Sequence, residues 1–105
     1  MNMNILQSIV DKLKSLLQSH PDMTDAEVAE KLDARASVAG EKLDWRNSIV
    51  DLMKLLDLDS SLEAREDLAD ELGYIGDPDS SDEMNVWLHR EVIKRVGHRG
   101  IKIPV

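Results

Sequence analysis

The chain has 105 residues, with 21 Asp and Glu against 13 Lys and Arg, a net charge of −8, no cysteine, two tryptophans, one tyrosine and no phenylalanine. A chain of this size builds one thin hydrophobic core, and the sign of its charge excludes a general nucleic-acid binder. The missing cysteines exclude disulfide frameworks, thiolate metal sites and thiol catalysis, and the apolar runs are too short to span a bilayer. The N-terminal stretch has no basic leader ahead of its apolar residues and is interrupted by Asp11, Lys12 and Lys14. It therefore reads as a poor secretory signal, and the expected location is cytoplasmic.

Apolar spacing is helical nearly throughout. The expected fold is all-α: a small orthogonal bundle of about four helices over residues 22–105, preceded by an amphipathic N-terminal helix over 1–21 that acts as an appendage or association element. In that first helix Ile5, Leu6, Ile9, Val10, Leu13, Leu16 and Leu17 fall within an arc of roughly 140° on a 3.6-residue wheel. "HPD" at 20–22 should end it. Thr24 and Glu27 then form a capping box, with Met23 and Val28 as its hydrophobic staple, and a narrow stripe of Val28, Ala29, Leu32 and Ala36 carries the second helix to just before Gly40.

The third helix is expected to start at Asp44 as cap and run to about Leu56, with Trp45, Ile49, Leu52, Met53 and Leu56 on its inner face. Two further starts share one device, Ser60 with Glu63 and Ser80 with Glu83, both read as capping boxes rather than as Ser/Asp/Glu chemistry. Gly73 and Gly97 should stop the fourth and fifth helices. From Asp57 to Glu83 the net charge is −10, and from Met84 to Val105 it is +4. Such a split lets an acidic surface lean on a basic helix, or steers a partner.

"MNVWLHREVIKR", residues 84–95, holds the residues of most chemical interest, Trp87, His89 and Arg90. Met84, Val86, Leu88, Val92, Ile93 and Val96 are assigned to the apolar arc of the fifth helix, with His89 inside it. Trp87 faces roughly 160° away from His89 at 100° per residue, so the three do not converge on one site. His89 is expected to be a packed histidine with one hydrogen-bonded nitrogen. Trp87 is expected to roof the core over the "GDP" loop at 76–78, with a binding anchor as the alternative. Arg65 sits on the apolar side of the fourth helix and is expected to pair with Asp57 or Asp59; anion binding is the other reading.

No catalytic motif, cofactor-binding pattern or dedicated metal site is read from the chain. "GDPDSSDE" is rich in oxygen ligands, but an EF-hand counted from Asp77 would place Asp82 where glycine is needed and Leu88 where glutamate is needed. His20, His89 and His98 lack zinc spacing, and no HExxH, P-loop or nucleophile elbow occurs.

Four blocks resemble a family of small bacterial proteins known as a domain of unknown function, DUF3597. They are "WRNSIVDL" at Trp45–Leu52, "LDSSLEAR" at Leu58–Arg65, "ELGYIGD" at Glu71–Asp77 and "MNVWLH" at Met84–His89. The resemblance covers about the last 60 residues, continues more loosely through "TDAEVAEKL", and implies one folded unit from about Thr24 to Val96. It implies no activity, cofactor or site residue. Members of that family often join a short amphipathic segment to the domain by an Ala/Pro-rich linker. Here only "HPDM" intervenes, which implies closer docking of the first helix.

The first helix is what a self-contained domain explains least. Burying its seven aliphatic residues is worth about 10–20 kcal/mol, at about 1.5–3 kcal/mol each, whereas leaving them exposed makes an apolar patch larger than a soluble monomer tolerates. The expected function is a non-enzymatic protein-interaction module that self-associates or binds a partner through Ile5, Leu6, Ile9, Leu13, Leu16 and Leu17, with Trp87 as a further contact. Peripheral membrane or cell-envelope association is the alternative, weakened because the polar face carries only Lys12 and Lys14. A small enzyme using His89 and Arg65 ranks third.

Overall fold

The structure, a computed structural model, describes residues 4–17, 24–76 and 81–103. They form five helices: α1 (Ile5–Leu17), α2 (Asp25–Val38), α3 (Ile49–Leu55), α4 (Leu62–Leu72) and α5 (Ser81–His98). The main packing pairs close a circuit, α1 on α2, α2 on α3, α3 on α5, α5 on α4 and α4 back on α1. An all-α bundle is what the apolar spacing predicts. It is a five-helix bundle, however, because α1 is one of its walls.

The α1 stripe is core. Ile9, Val10 and Leu13 are fully buried, Leu6 and Leu17 nearly so, and Ile5 and Leu16 pack partly buried against the same cluster. The reading of residues 1–21 as an appendage or association element is corrected for the described part, Ile5–Leu17, whose stripe belongs to the core of the body. The first turn of α1 shows how it is held. Asn4 Oδ1 accepts from Gln7 N at 2.6 Å, and the Glu71 carboxylate, on α4, accepts from Ile5 N at 2.7 and 3.0 Å and from Leu6 N at 3.2 Å. These are the amides that a helix start leaves without partners, and an anion there also opposes the positive end of the helix dipole. Farther along, Arg99 donates to Gln7 Oε1 at 2.6 Å, tying α1 to the segment after α5.

Local sequence accounts for most boundaries. Thr24 Oγ1 accepts from Glu27 N and the Glu27 carboxylate accepts from Thr24 N, so the predicted capping box opens α2; Met23, the other half of the predicted staple, lies outside the described residues. Val28 and Leu32 are buried, and Ala29 and Ala36 partly so. The third helix starts later than expected. Asp44–Asn47 is a turn, with Ser48 N donating to Asp44 O at 2.9 Å, and Ser48 caps α3 through Asp51 N. Asp51 reaches back to accept from Asp44 N at 2.8 Å, which holds Asp44 in the turn instead of at a helix cap. Trp45 is still 1% exposed.

The start of α4 also moves by one residue. Ser61, not Ser60, caps it through Ala64 N, which leaves Glu63 one position short of a capping box. Ser80, the partner predicted for Glu83, lies outside the described residues. At the far end of α4, Gly73 adopts φ 83°, with Tyr74 N bonding to Ala69 O and Gly73 N to Asp70 O, the paired bonds of a Schellman motif. The same motif closes α5 around Gly100 (φ 88°), with Ile101 N to Val96 O and Gly100 N to Gly97 O. Gly97 is therefore inside α5, and the left-handed glycine that ends the helix lies three residues later than predicted. Val96 and Ile101 both enter the core.

Candidate functional site

The predicted site residues separate into two groups, those built into the body and those on its surface. His89 is 8% exposed, with Nε2 at 2.8 Å from Trp45 O, the packed, hydrogen-bonded histidine expected from the wheel. Trp45 in turn donates Nε1–H to Asp33 Oδ1 at 3.1 Å. The Arg46 guanidinium lies 4.3 Å from the Trp45 ring and bonds the same carboxylate. His89, Trp45, Asp33 and Arg46 thus bind α2, the 44–47 turn and α5 together. Each of these four residues has a structural partner.

Arg65 pairs with neither carboxylate predicted for it. Its Nε donates to Ser60 O at 3.2 Å and its Nη1 to Asn85 Oδ1 at 2.7 Å, joining the start of α4 to α5. Asp57 instead takes Arg35. Asp59 accepts from Ser61 N at 2.9 Å, and that backbone bond, followed by the Ser61 hydroxyl, holds its carboxyl below the ordinary range. Among the described residues no three His, Asp or Glu side chains gather as a metal-ligand set; Asp77 and Asp79 lie outside them.

On α5 the core row is Met84, Leu88, Val92 and Val96, all fully buried. These residues repeat every four positions, one face of an α-helix. Val86 is not on that face. Two residues from Leu88, it is rotated by about 160° at 100° per residue, and it is 59% exposed. Its predicted place in the apolar arc is corrected on that ground, and Ile93, also rotated away, is only partly buried. Trp87 is half-buried, its ring 5.0 Å from that of Tyr74 and tilted by 48°. It roofs one edge of the core, over Tyr74, and keeps part of its surface in solvent.

Two shallow depressions meet on this outer face and share Val86 and Arg90. One extends past Trp87 to Asp82 and Glu83. The other runs past Ile93 to Lys94 and Asn47, with His89 at its floor. Among the described residues Arg90 and Lys94 form no ion pair, whereas Arg35, Arg46, Lys54 and Arg95 each have one. The face therefore offers exposed aliphatic surface, part of a tryptophan and two cations that form no ion pair among the described residues. Sequence reading places Trp87 toward Arg90 and Lys94, but assigns Val86 and Ile93 to the apolar arc instead of to this face. The signal was present in the wheel, where these residues lie opposite the Met84–Val96 row.

The sequence and the fold agree on the chain's relatives. The profile of a family described as a domain of unknown function (DUF3597) matches residues 16–104. A conserved unknown protein of Rhodopseudomonas palustris, whose structure was determined in solution, is 39% identical, with a TM-score of 0.75 over 97% of this chain and 96% of its own. That coverage takes in α1, although the family profile begins near its end. No curated protein matches the sequence significantly. With a profile that spans most of its length, the chain belongs to the DUF3597 family.

Proposed function

We propose that the protein is a non-enzymatic interaction module that binds a protein partner through the outer face of α5. The observation that carries this reading is the contiguity of Val86, 59% exposed, with half-buried Trp87, Arg90 and Lys94 along two joined depressions. Tryptophan and arginine around an aliphatic centre are the residue types that dominate binding energy at protein interfaces. The depressions are open, and His89 and Arg65 are engaged in bonds that hold the fold. The α1 stripe no longer serves as the contact, since its residues are in the core. The membrane-surface alternative relied on that stripe, and no described helix is long and apolar enough to cross a bilayer.

A photo-reactive side chain placed at position 86 in the producing cell tests the proposal, with position 31 on the exposed side of α2 as control. The expected result is light-dependent protein adducts at 86 and none at 31. Equal adducts at both positions, or none at either, would overturn it.

A further inference from the structure

The outer face of α5 is polarised along the helix axis. Asp82 and Glu83 occupy its first turn, Val86 and Trp87 follow, and Arg90 and Lys94 come next. Glu83 and Arg90 are seven residues apart, about 10.5 Å along the axis at 1.5 Å per residue, too far to neutralise each other within one helix. The sequence of acidic end, apolar middle and basic end has a geometric consequence. A second α5 laid antiparallel across the first places its Arg90 and Lys94 over Asp82 and Glu83, and its own acidic pair over the first helix's cations. Val86 meets the partner's apolar middle near the axis. Both halves of the contact are then satisfied by one two-fold operation, the self-complementarity that an isologous interface requires.

We propose that the partner of this face is a second copy of the chain, joined by antiparallel α5–α5 packing. This inference rests on the reading of the α5 face as the binding surface and specifies its occupant. A basic partner would meet Arg90 and Lys94 with like charge, and a uniformly acidic one would meet Asp82 and Glu83. Only a segment with both signs in the opposite order matches the whole face, and α5 itself has that order. The net charge of −8 on each chain opposes approach, so the association belongs to ionic strengths where the Debye length is about 8 Å, near 0.15 M. There the distant charges are screened more than the facing pairs.

Sedimentation equilibrium in 0.15 M salt, from about 20 µM to 1 mM chain, reads the effect directly. The average mass should climb from that of one chain toward two. R90E/K94E makes the face wholly acidic and D82K/E83K makes it wholly basic. Each variant, shown to be folded by far-UV circular dichroism, should dimerise at least tenfold more weakly than the natural chain. Their equimolar mixture should recover dimer, because the two faces are complementary. V86D, which leaves the four charged residues in place, should also weaken the dimer at least tenfold.

A natural chain that stays at one-chain mass to 1 mM would overturn the proposal, as would a dimer unaffected by these substitutions or a mixture no heavier than its components. The crosslinking at position 86 keeps the two readings apart. Adducts there with a different protein, alongside a monomeric chain, defeat self-association and leave the α5 face as a binding surface. Absence of both defeats both.

Discussion

Replacing Leu13 by alanine tests whether α1 is a wall of the bundle. Leu13 is 0% exposed and lies in the stripe with Ile9, Val10 and Leu17, on a helix that packs chiefly on α2 and α4. Leu→Ala changes at such sites cost about 2–5 kcal/mol. A fully enclosed position collapses poorly, so the expected loss is about 3–4 kcal/mol. A domain of this size has about 5–15 kcal/mol in all, so the variant stays folded but weakened. With a urea slope of about 1–2 kcal/mol/M, its midpoint should fall by about 2 M. Urea unfolding followed by far-UV circular dichroism and by tryptophan fluorescence is the assay. Helix α1 contains no tryptophan, whereas Trp45 is buried in the body, so coincident transitions mean that α1 and the body unfold together. A loss below about 0.5 kcal/mol, the value for a surface site, would mean that α1 is not a wall of the bundle. So would a far-UV transition that precedes the fluorescence change.

Glu71→Ala removes the carboxylate that holds the first amides of α1. It should cost about 1 kcal/mol, as the loss of a helix cap does, with hydrogen exchange accelerating first at Ile5 and Leu6. His89→Leu leaves Trp45 O without its 2.8 Å partner and should cost about 1–3 kcal/mol by chemical denaturation. The Asp59 carboxyl should titrate below its ordinary value of 3.8, chiefly because of the Ser61 backbone N–H and then the Ser61 hydroxyl. A depressed folded value means that these bonds stabilise the fold above pH 3.8 and are lost as pH falls through the folded pKa. Carbon-13 titration of the carboxyl should therefore move part way back toward 3.8 in Ser61→Ala, and Asp59→Asn should soften the acid limb of the stability curve.

Much of the fold was legible where the deciding interaction is local. Thr24 and Glu27 are three residues apart and cap α2 as read, Gly73 takes the left-handed turn expected of it, and the inner faces of α2 and α3 follow their apolar spacing. Misreadings came where two neighbouring residues could do the same work. Ser60 and Ser61 can both open a helix, Asp44 and Ser48 can both cap one, and Gly97 and Gly100 can both end one. Tertiary contacts chose between them: Asp51 holds Asp44 in a turn, and burial of Ile101 carries α5 past Gly97.

The short "HPDM" link hinted that α1 docks closely, but its anchors were not legible, because Glu71 and Arg99 lie 66 and 92 residues from the amide and side chain they bind. The candidate site was half legible. Trp87 was placed on the correct side of α5, but Val86 was counted with the core because it is aliphatic, although its angle on the helix put it with Arg90. Arg65 was matched with carboxylates by charge, whereas the groups within its reach were a carbonyl and the Asn85 amide.

Amide chemical shifts of the nitrogen-15-labelled chain, followed on dilution from about 1 mM to 20 µM in 0.15 M salt, bear most directly on the claim that α5 and not α1 is the contact surface. Concentration-dependent shifts confined to residues 82–94 are expected, strongest near Val86 and Arg90, with residues 5–17 unchanged. Shifts centred on 5–17, or none along α5, would contradict that claim.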